Sequence, residues 1–499
     1  MFYEIFVRSY LDSDDDGDGD FIGLIDELDY LNDGDPDTSD DLDVCSLWLM
    51  PIFPSPSYHG YDVIDYYNVN SDYGTLDDFR RFMDEAHQRG IRVIIDMPLN
   101  HTSSQHPWFI ESQKPDSAYR DWYIWSDTDP GMVGPWGQQV WHSGATDYYY
   151  GVFWGGMPDL NYSNPEVTEE MENIFRFWLE DVGVDGFRLD GARYVVEEGD
   201  ELADSEANLQ FFEDMRSFVK DINPDALLIG EVWTSNFAAA SYLKREALDL
   251  VFDFDLASAF MSSAGSGRAG SALNQLKFSL KLFPPGQFAP FLTNHDMNRV
   301  MSQLGGDVEK AKNAATMLLT SPGVPFVYYG EEIGMLGQKP DEKIRTPMQW
   351  SAEEHAGFTT GVPWQSVNPD YPEKNVFLQF TDQESLLYFY NSLIQIRNQS
   401  EALRFGDTYL IESQAPGVYS ILRAYEDDLV LVVLNLGNEE VNDFGLTLLS
   451  GPLEGNYQAV SLIEDGQYAE LISNDTGGFE DYQPLPTLPP YARLILQLK

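Results

Sequence analysis

Arg188 and Asp190 stand two residues apart in the run "VDGFRLD", so on a strand their side chains share one face. A guanidinium beside a carboxyl favours the ionised form, which suits a nucleophile. Glu231 closes another apolar run, "ALLIGEVW", among other carboxylates. Such surroundings raise a carboxyl pKa and suit a proton donor. Two carboxyls whose environments push their pKa values apart are the pattern of glycoside hydrolysis. Two further runs end in reactive groups: "IRVIIDM" leads to Asp96, Asn100 and His101, and "FAPFLTN" to His295 and Asp296. In so acidic a chain a single carboxylate is by default a solvated surface group. One that ends an apolar strand is half buried and costs energy unless it is paired or used.

These groups meet only if the runs are strands of one sheet. Eight strand-like runs, "YEIFVRSY", "CSLWLMPIF", "IRVIIDM", "VDGFRLD", "ALLIGEVW", "LDLVFDF", "FAPFLTN" and "VPFVYYG", are mostly separated by helical stretches. One such stretch carries Leu76, Phe79, Met83 and Ala86 on a single face, and another begins at Asn164 and Pro165. The alternation predicts an α/β fold, a (β/α)8 TIM barrel, whose reactive groups belong at the C-terminal strand ends. A doubly wound open sheet is the alternative, but no glycine-rich dinucleotide turn follows a strand. The predicted division is a barrel over residues 1–101 and 164–404, an inserted domain after the third strand over 102–163, and a C-terminal antiparallel β-sandwich over 405–499. Trp108, Trp136, Trp141 and Trp154 lie in the insertion, where each is either packing or a stacking surface.

The 499 residues carry 83 Asp plus Glu against 29 Lys plus Arg, a formal net charge of −54. Nucleic acid and anionic membranes are excluded as partners, since both need a basic footprint. No apolar run reaches the roughly 20 residues that cross a bilayer. The single cysteine, Cys45, excludes an intrachain disulfide and reads as a small buried hydrophobe. Acidic residues run along the whole chain, so self-repulsion points either to a salty, halophilic setting or to selection for solubility. Met1 stands directly before the first strand run. The expectation is a secreted, monomeric protein seen in mature or trimmed form, with a cytoplasmic location as the alternative.

The stretch "DSDDDGDGD", residues 12–20, looks like half an EF-hand, but a strand precedes it and Gly23 occupies the place of the closing glutamate. What remains is a hard-oxygen cage suited to Ca2+, or else a solvated acidic loop.

The segments "DMPLNH" (96–101), "GFRLDGARY" (186–194), "GEVW" (230–233) and "FLTNHD" (291–296) resemble the four signature regions of the α-amylase superfamily, glycoside hydrolase family 13. "GYDVIDYY" (60–67), "MPDLN" (157–161) and "YYGEEIGM" (328–335) resemble further family segments in the same order. The resemblance implies Asp190 as catalytic nucleophile, Glu231 as acid/base and Asp296 as a third carboxylate gripping sugar hydroxyls. It implies that Arg188 orients Asp190, that His101 and His295 bind hydroxyls, and that Tyr61 stacks on the sugar. Arg193 and Tyr194 stand where many α-amylases have Lys-His and are assigned to the sugar beyond the cut. The acidic stretch resembles the family's structural Ca2+ loop, with Asp12, Asp14, Asp16 and Asp20 as side-chain ligands and Asp18 offering its carbonyl. Asn100 and Asp159 match the ligands of a second Ca2+. "MPDLN" and "IRTPMQW" (344–350) together resemble the intermediary α-amylase subfamily, between oligo-1,6-glucosidases and neopullulanases. The implied activity is retaining, endo-acting hydrolysis of α-1,4 bonds in starch and maltooligosaccharides. The alternatives are an α-glucosidase, a cyclomaltodextrinase or neopullulanase, and a transglycosylase. A non-catalytic barrel is disfavoured because Asp190, Glu231 and Asp296 are all present.

Overall fold

The eight runs are the eight strands of a parallel barrel. A computed structural model describes residues 1–35, 38, 40–199 and 201–499. The barrel strands are β1 (Phe2–Ile5), β2 (Ser46–Leu49), β3 (Arg92–Met97), β4 (Gly186–Leu189), β5 (Leu227–Gly230), β6 (Leu250–Phe252), β7 (Phe288–Ala289) and β8 (Phe326–Tyr328). Their order is β7-β6-β5-β4-β3-β2-β1-β8, with every pair parallel. The ring closes between the ends of that order. Val324 N–H donates to the Phe288 carbonyl at 3.0 Å and Phe326 N–H to Pro290 at 2.9 Å.

Strands covered on both faces read as continuous apolar runs rather than alternating ones. Inside the barrel Phe2, Trp48, Ile94, Ile229, Phe252 and Phe326 form one core, while the outward faces join the helices in a second. The helix Leu76–Gln88 shows how the outer layer is specified. Thr75 and Asp78 form a reciprocal capping box, and Phe79, Phe82, Met83 and Ala86 are buried. Leu76, assigned to the same face, is only partly buried.

Between β3 and β4 a small antiparallel sheet forms from Trp125–Ser126, Tyr148–Tyr150 and Trp141–Ser143. Leu160 N–H ties it to the barrel by donating to the Asn100 carbonyl at 2.9 Å. After the helix Glu401–Phe405 the chain becomes an antiparallel β-sandwich of a five-stranded and a three-stranded sheet, with a further two-stranded pair, Asn456–Tyr457 and Leu471–Ile472. Its larger sheet includes Val418–Tyr425, Asp428–Asn435 and Arg493–Leu498, and it buries its own core around Leu431, Val433, Phe444 and Phe479. No helix among the described residues is long and apolar enough to cross a membrane.

Candidate active site

The ladder that builds the barrel also aims its carboxylates. One residue past β4, Asp190 N–H donates to the Met97 carbonyl at 3.2 Å, and one past β5, Glu231 N–H donates to Leu189 at 3.0 Å. Both side chains therefore leave from backbone still held in the sheet. Arg188, one turn of the pleat below Asp190, is buried and spans the site. Its Nη1 lies 2.7 Å from Asp190 Oδ1 and 2.8 Å from Asp96 Oδ1, and its Nη2 lies 2.8 Å from Glu231 Oε2. The same Glu231 oxygen accepts Gly191 N–H at 3.0 Å, which leaves Oε1 as the carboxyl's free end. Burial raises the Glu231 pKa; Arg188 pulls against this, and Asp190 and Asp296 add to it.

Asp296 stands on the opposite side of the rim. Arg345 Nη2 reaches its Oδ1 at 2.8 Å and His295 Nε2 its Oδ2 at 3.2 Å. Burial works against ionisation there, yet His295 and Arg345 hold this carboxyl well below the usual range. The Tyr61 ring lies parallel to His295 at 5.7 Å, and its hydroxyl donates to Asp96 Oδ2 at 3.0 Å. His101 is buried with Nε2 3.2 Å from the Tyr61 carbonyl, and burial lowers its pKa, so it is a neutral ring that braces Tyr61.

Beside Glu231 a cavity of about 290 Å3 is lined by Trp136, Phe153, Gly191, Arg193, Tyr194 and Trp233. Trp136 is 58% exposed and faces the rings of Phe153 and Tyr194. Arg193 reaches this cavity with its charge already committed. Its Nη2 and Nε grip Asp204 at 2.6 and 3.0 Å, and its Nη1 donates to the Trp233 carbonyl at 3.2 Å. The cavity therefore presents aromatic faces more than a free cation. Of the other insertion tryptophans, Trp108 packs against Tyr66 and Trp122, Trp141 packs against Tyr150, and Trp154 is exposed. Arg345, Asp204, Trp233 and Glu4 were missing from the sequence assignment. Only Glu4 carries a local signal, as the lone carboxylate in the apolar run "FYEIF".

The family model described as alpha amylase, catalytic domain, matches residues 4–406. The chain belongs to the α-amylase family. It is 40% identical to "Alpha-amylase 3" of Dictyoglomus thermophilum over 88% of this chain and 85% of that protein. It is 32% identical to an oligo-1,6-glucosidase of Bacillus cereus over 100% and 98% of the two chains. The crystal structure of the α-amylase from H. orenii superposes with a TM-score of 0.86 at 41% identity, covering 100% of this chain and 99% of that one. The protein is a glycosidase of this family.

In this member of the family the acidic stretch follows β1 and one short 3-10 turn, Val7–Ser9, in place of the long incoming helix of an EF-hand, and Asp20 caps the helix Phe21–Asp26 that follows. Carboxylate oxygens of Asp12, Asp14 and Asp20 lie within 4.8 Å of one another. Asp16 lies outside this group of three; its Oδ1 accepts Asp18 N–H at 2.9 Å, as Asp14 Oδ1 accepts Asp16 N–H at 3.3 Å. The Asp18 side chain pairs with Arg8 through Oδ2, while its Oδ1 is buried and accepts no hydrogen bond. Farther in, Asn100 Oδ1 and Asp159 Oδ2 are buried and accept no hydrogen bond.

Proposed function

We propose that the protein is a retaining, endo-acting α-amylase that cleaves α-1,4 bonds in starch and maltooligosaccharides. The observation that carries this reading is the Arg188 guanidinium, which bridges Asp190 and Glu231 at 2.7 and 2.8 Å. A single planar group contacting both supports the close carboxyl spacing that a retaining mechanism requires. Asp190 attacks the anomeric carbon while Glu231 gives its proton to the departing glycosidic oxygen. The covalent glycosyl–Asp190 ester is then hydrolysed by water, whose proton returns to Glu231. Asp296, kept anionic, holds ring hydroxyls as positive charge develops on the sugar.

Endo action is supported at Tyr58. A charged grip on a chain end would need a carboxylate at this place, three residues before Tyr61, facing an arginine. Here the Tyr58 ring stacks on Trp364 at 5.3 Å and lies 5.8 Å from the Arg345 guanidinium, whose charge goes to Asp296. The cleft then stays open to glucan on both sides. Early digestion of starch should give a rapid loss of iodine staining with a mixture of oligosaccharides. Glucose as the sole early product, with staining nearly unchanged, would overturn this reading and favour the α-glucosidase alternative, to which the similarity to oligo-1,6-glucosidases points.

The acidic loop fits a structural Ca2+: its donors are hard oxygens, and three carboxylates already converge. Asp12, Asp14, Asp16 and Asp20 would hold the ion together with the Asp18 carbonyl, and it would brace the loop without touching the reaction. Asn100 and Asp159 fit a second cation, because two buried oxygens without donors are costly unless something positive meets them.

A further inference from the structure

Glu4 is the only carboxylate on β1, and it faces the barrel interior with 1% of its surface exposed. Its Oε1 lies 2.5 Å from His295 Nδ1. Across the ring, His295 Nε2 lies 2.7 Å from the Tyr61 hydroxyl and 3.2 Å from Asp296 Oδ2. The Tyr61 hydroxyl also reaches Asp96 Oδ2 at 3.0 Å and can give its one hydrogen there, which leaves it an acceptor toward His295. Each ring nitrogen thus faces acceptors only. A neutral imidazole carries a single N–H and would set a lone pair against lone pairs on one side. Only the imidazolium satisfies both.

A cation buried this deeply needs a counter-charge. Asp296 supplies one, but it lies at the rim, where it must also serve the sugar. Glu4 sits behind the ring, out of reach of any substrate, and can serve nothing else. We propose that Glu4 is a positioning residue of the catalytic centre, holding His295 from behind as a fixed imidazolium and so aiming a permanent N–H at Asp296 and the sugar hydroxyl it shares. This rests on the proposed role of Asp296. The groups facing the ring are Glu4 from β1, the Trp48 ring edge at 5.5 Å from β2, Tyr61 after β2, Asp96 on β3, Asp296 itself, and Arg345 after β8, whose Nε donates to the His295 carbonyl at 2.9 Å. Burial opposes the charge, but Asp296 and then Glu4 carry the imidazole up to about 10.

The test is 15N NMR of the full-length protein labelled at histidine, without substrate, at about pH 8.5, well above the ordinary histidine range. One histidine should remain doubly protonated, and its signal should be missing from His295→Gln. In Glu4→Gln that ring should titrate at least about one pH unit lower. There kcat and kcat/KM should fall together by roughly tenfold, with Glu4→Asp recovering part of both. A wild-type spectrum with no imidazolium at that pH overturns the proposal, whether or not the variants fold. So does a folded Glu4→Gln protein with unchanged titration and turnover. Because the spectrum needs no substrate, its outcome is separate from that of the starch digestion.

Discussion

Arg188 touches Asp96, Asp190 and Glu231 at once, so removing one carboxylate leaves its charge paired with the other two. Asp190→Asn and Glu231→Gln should therefore fold and melt much as the parent does. Turnover should fall on the order of 10⁴-fold for Asp190→Asn, which loses the nucleophile, and roughly 10²- to 10⁴-fold for Glu231→Gln, which loses the proton donor. Melting curves and initial rates on maltooligosaccharides check both, and near-normal rates in either variant would remove that residue from the chemistry. The acid must be protonated before the bond breaks. Because burial raises Glu231, activity should persist above the ordinary carboxyl range and decline as pH rises through its shifted pKa.

At the scale of elements, the acidic loop fastens the start of the barrel to the segment after β8. Asp12 Oδ2 accepts the Thr359 hydroxyl at 2.5 Å, and Trp364 N–H donates to the Gly17 carbonyl at 2.9 Å. Gly17 has φ +102, and a Cβ there would lie 2.1 Å from the Val362 carbonyl, so the approach is as close as glycine permits. An ion that binds only the folded loop stabilises the whole by linkage, about 2.7 kcal/mol at a hundredfold excess over Kd. Chelation should lower the melting temperature by a few degrees, and Asp14→Ala should do the same and blunt the response to added Ca2+. Asp14 suits the test because it is exposed, and its side chain accepts a long 3.3 Å contact from Asp16 N–H. Melting indifferent to both treatments would leave the loop as acidic surface alone.

Across the whole molecule, the net charge of −54 sets a repulsion that no single ion pair offsets. The screening length shrinks from about 10 Å at 0.1 M salt to about 3 Å at 1 M. Melting temperature should rise steadily with NaCl from low to molar concentration. A flat profile would mean that the charge serves solubility and not life in salt.

The barrel was legible because parallel strands buried on both faces leave unbroken apolar runs, and each run ends where its reactive residue begins. Asp190 and Glu231 were legible for the same reason: strand geometry alone gives Arg188 and Asp190 a common face. The three-stranded sheet of the insertion was not, since strands of two or three residues are too short to show a period. Which residues Glu4 and Arg345 would touch was likewise beyond reach of any local pattern. Glu4 lies 291 residues from His295, and Arg345 lies 49 from Asp296. By itself the sequence determined which side chains stand at the strand ends, because that depends on backbone periodicity. Only barrel closure decided which of them touch, and with them the charge of His295, because a buried group's protonation follows from neighbours that the chain brings together only when the ring is complete.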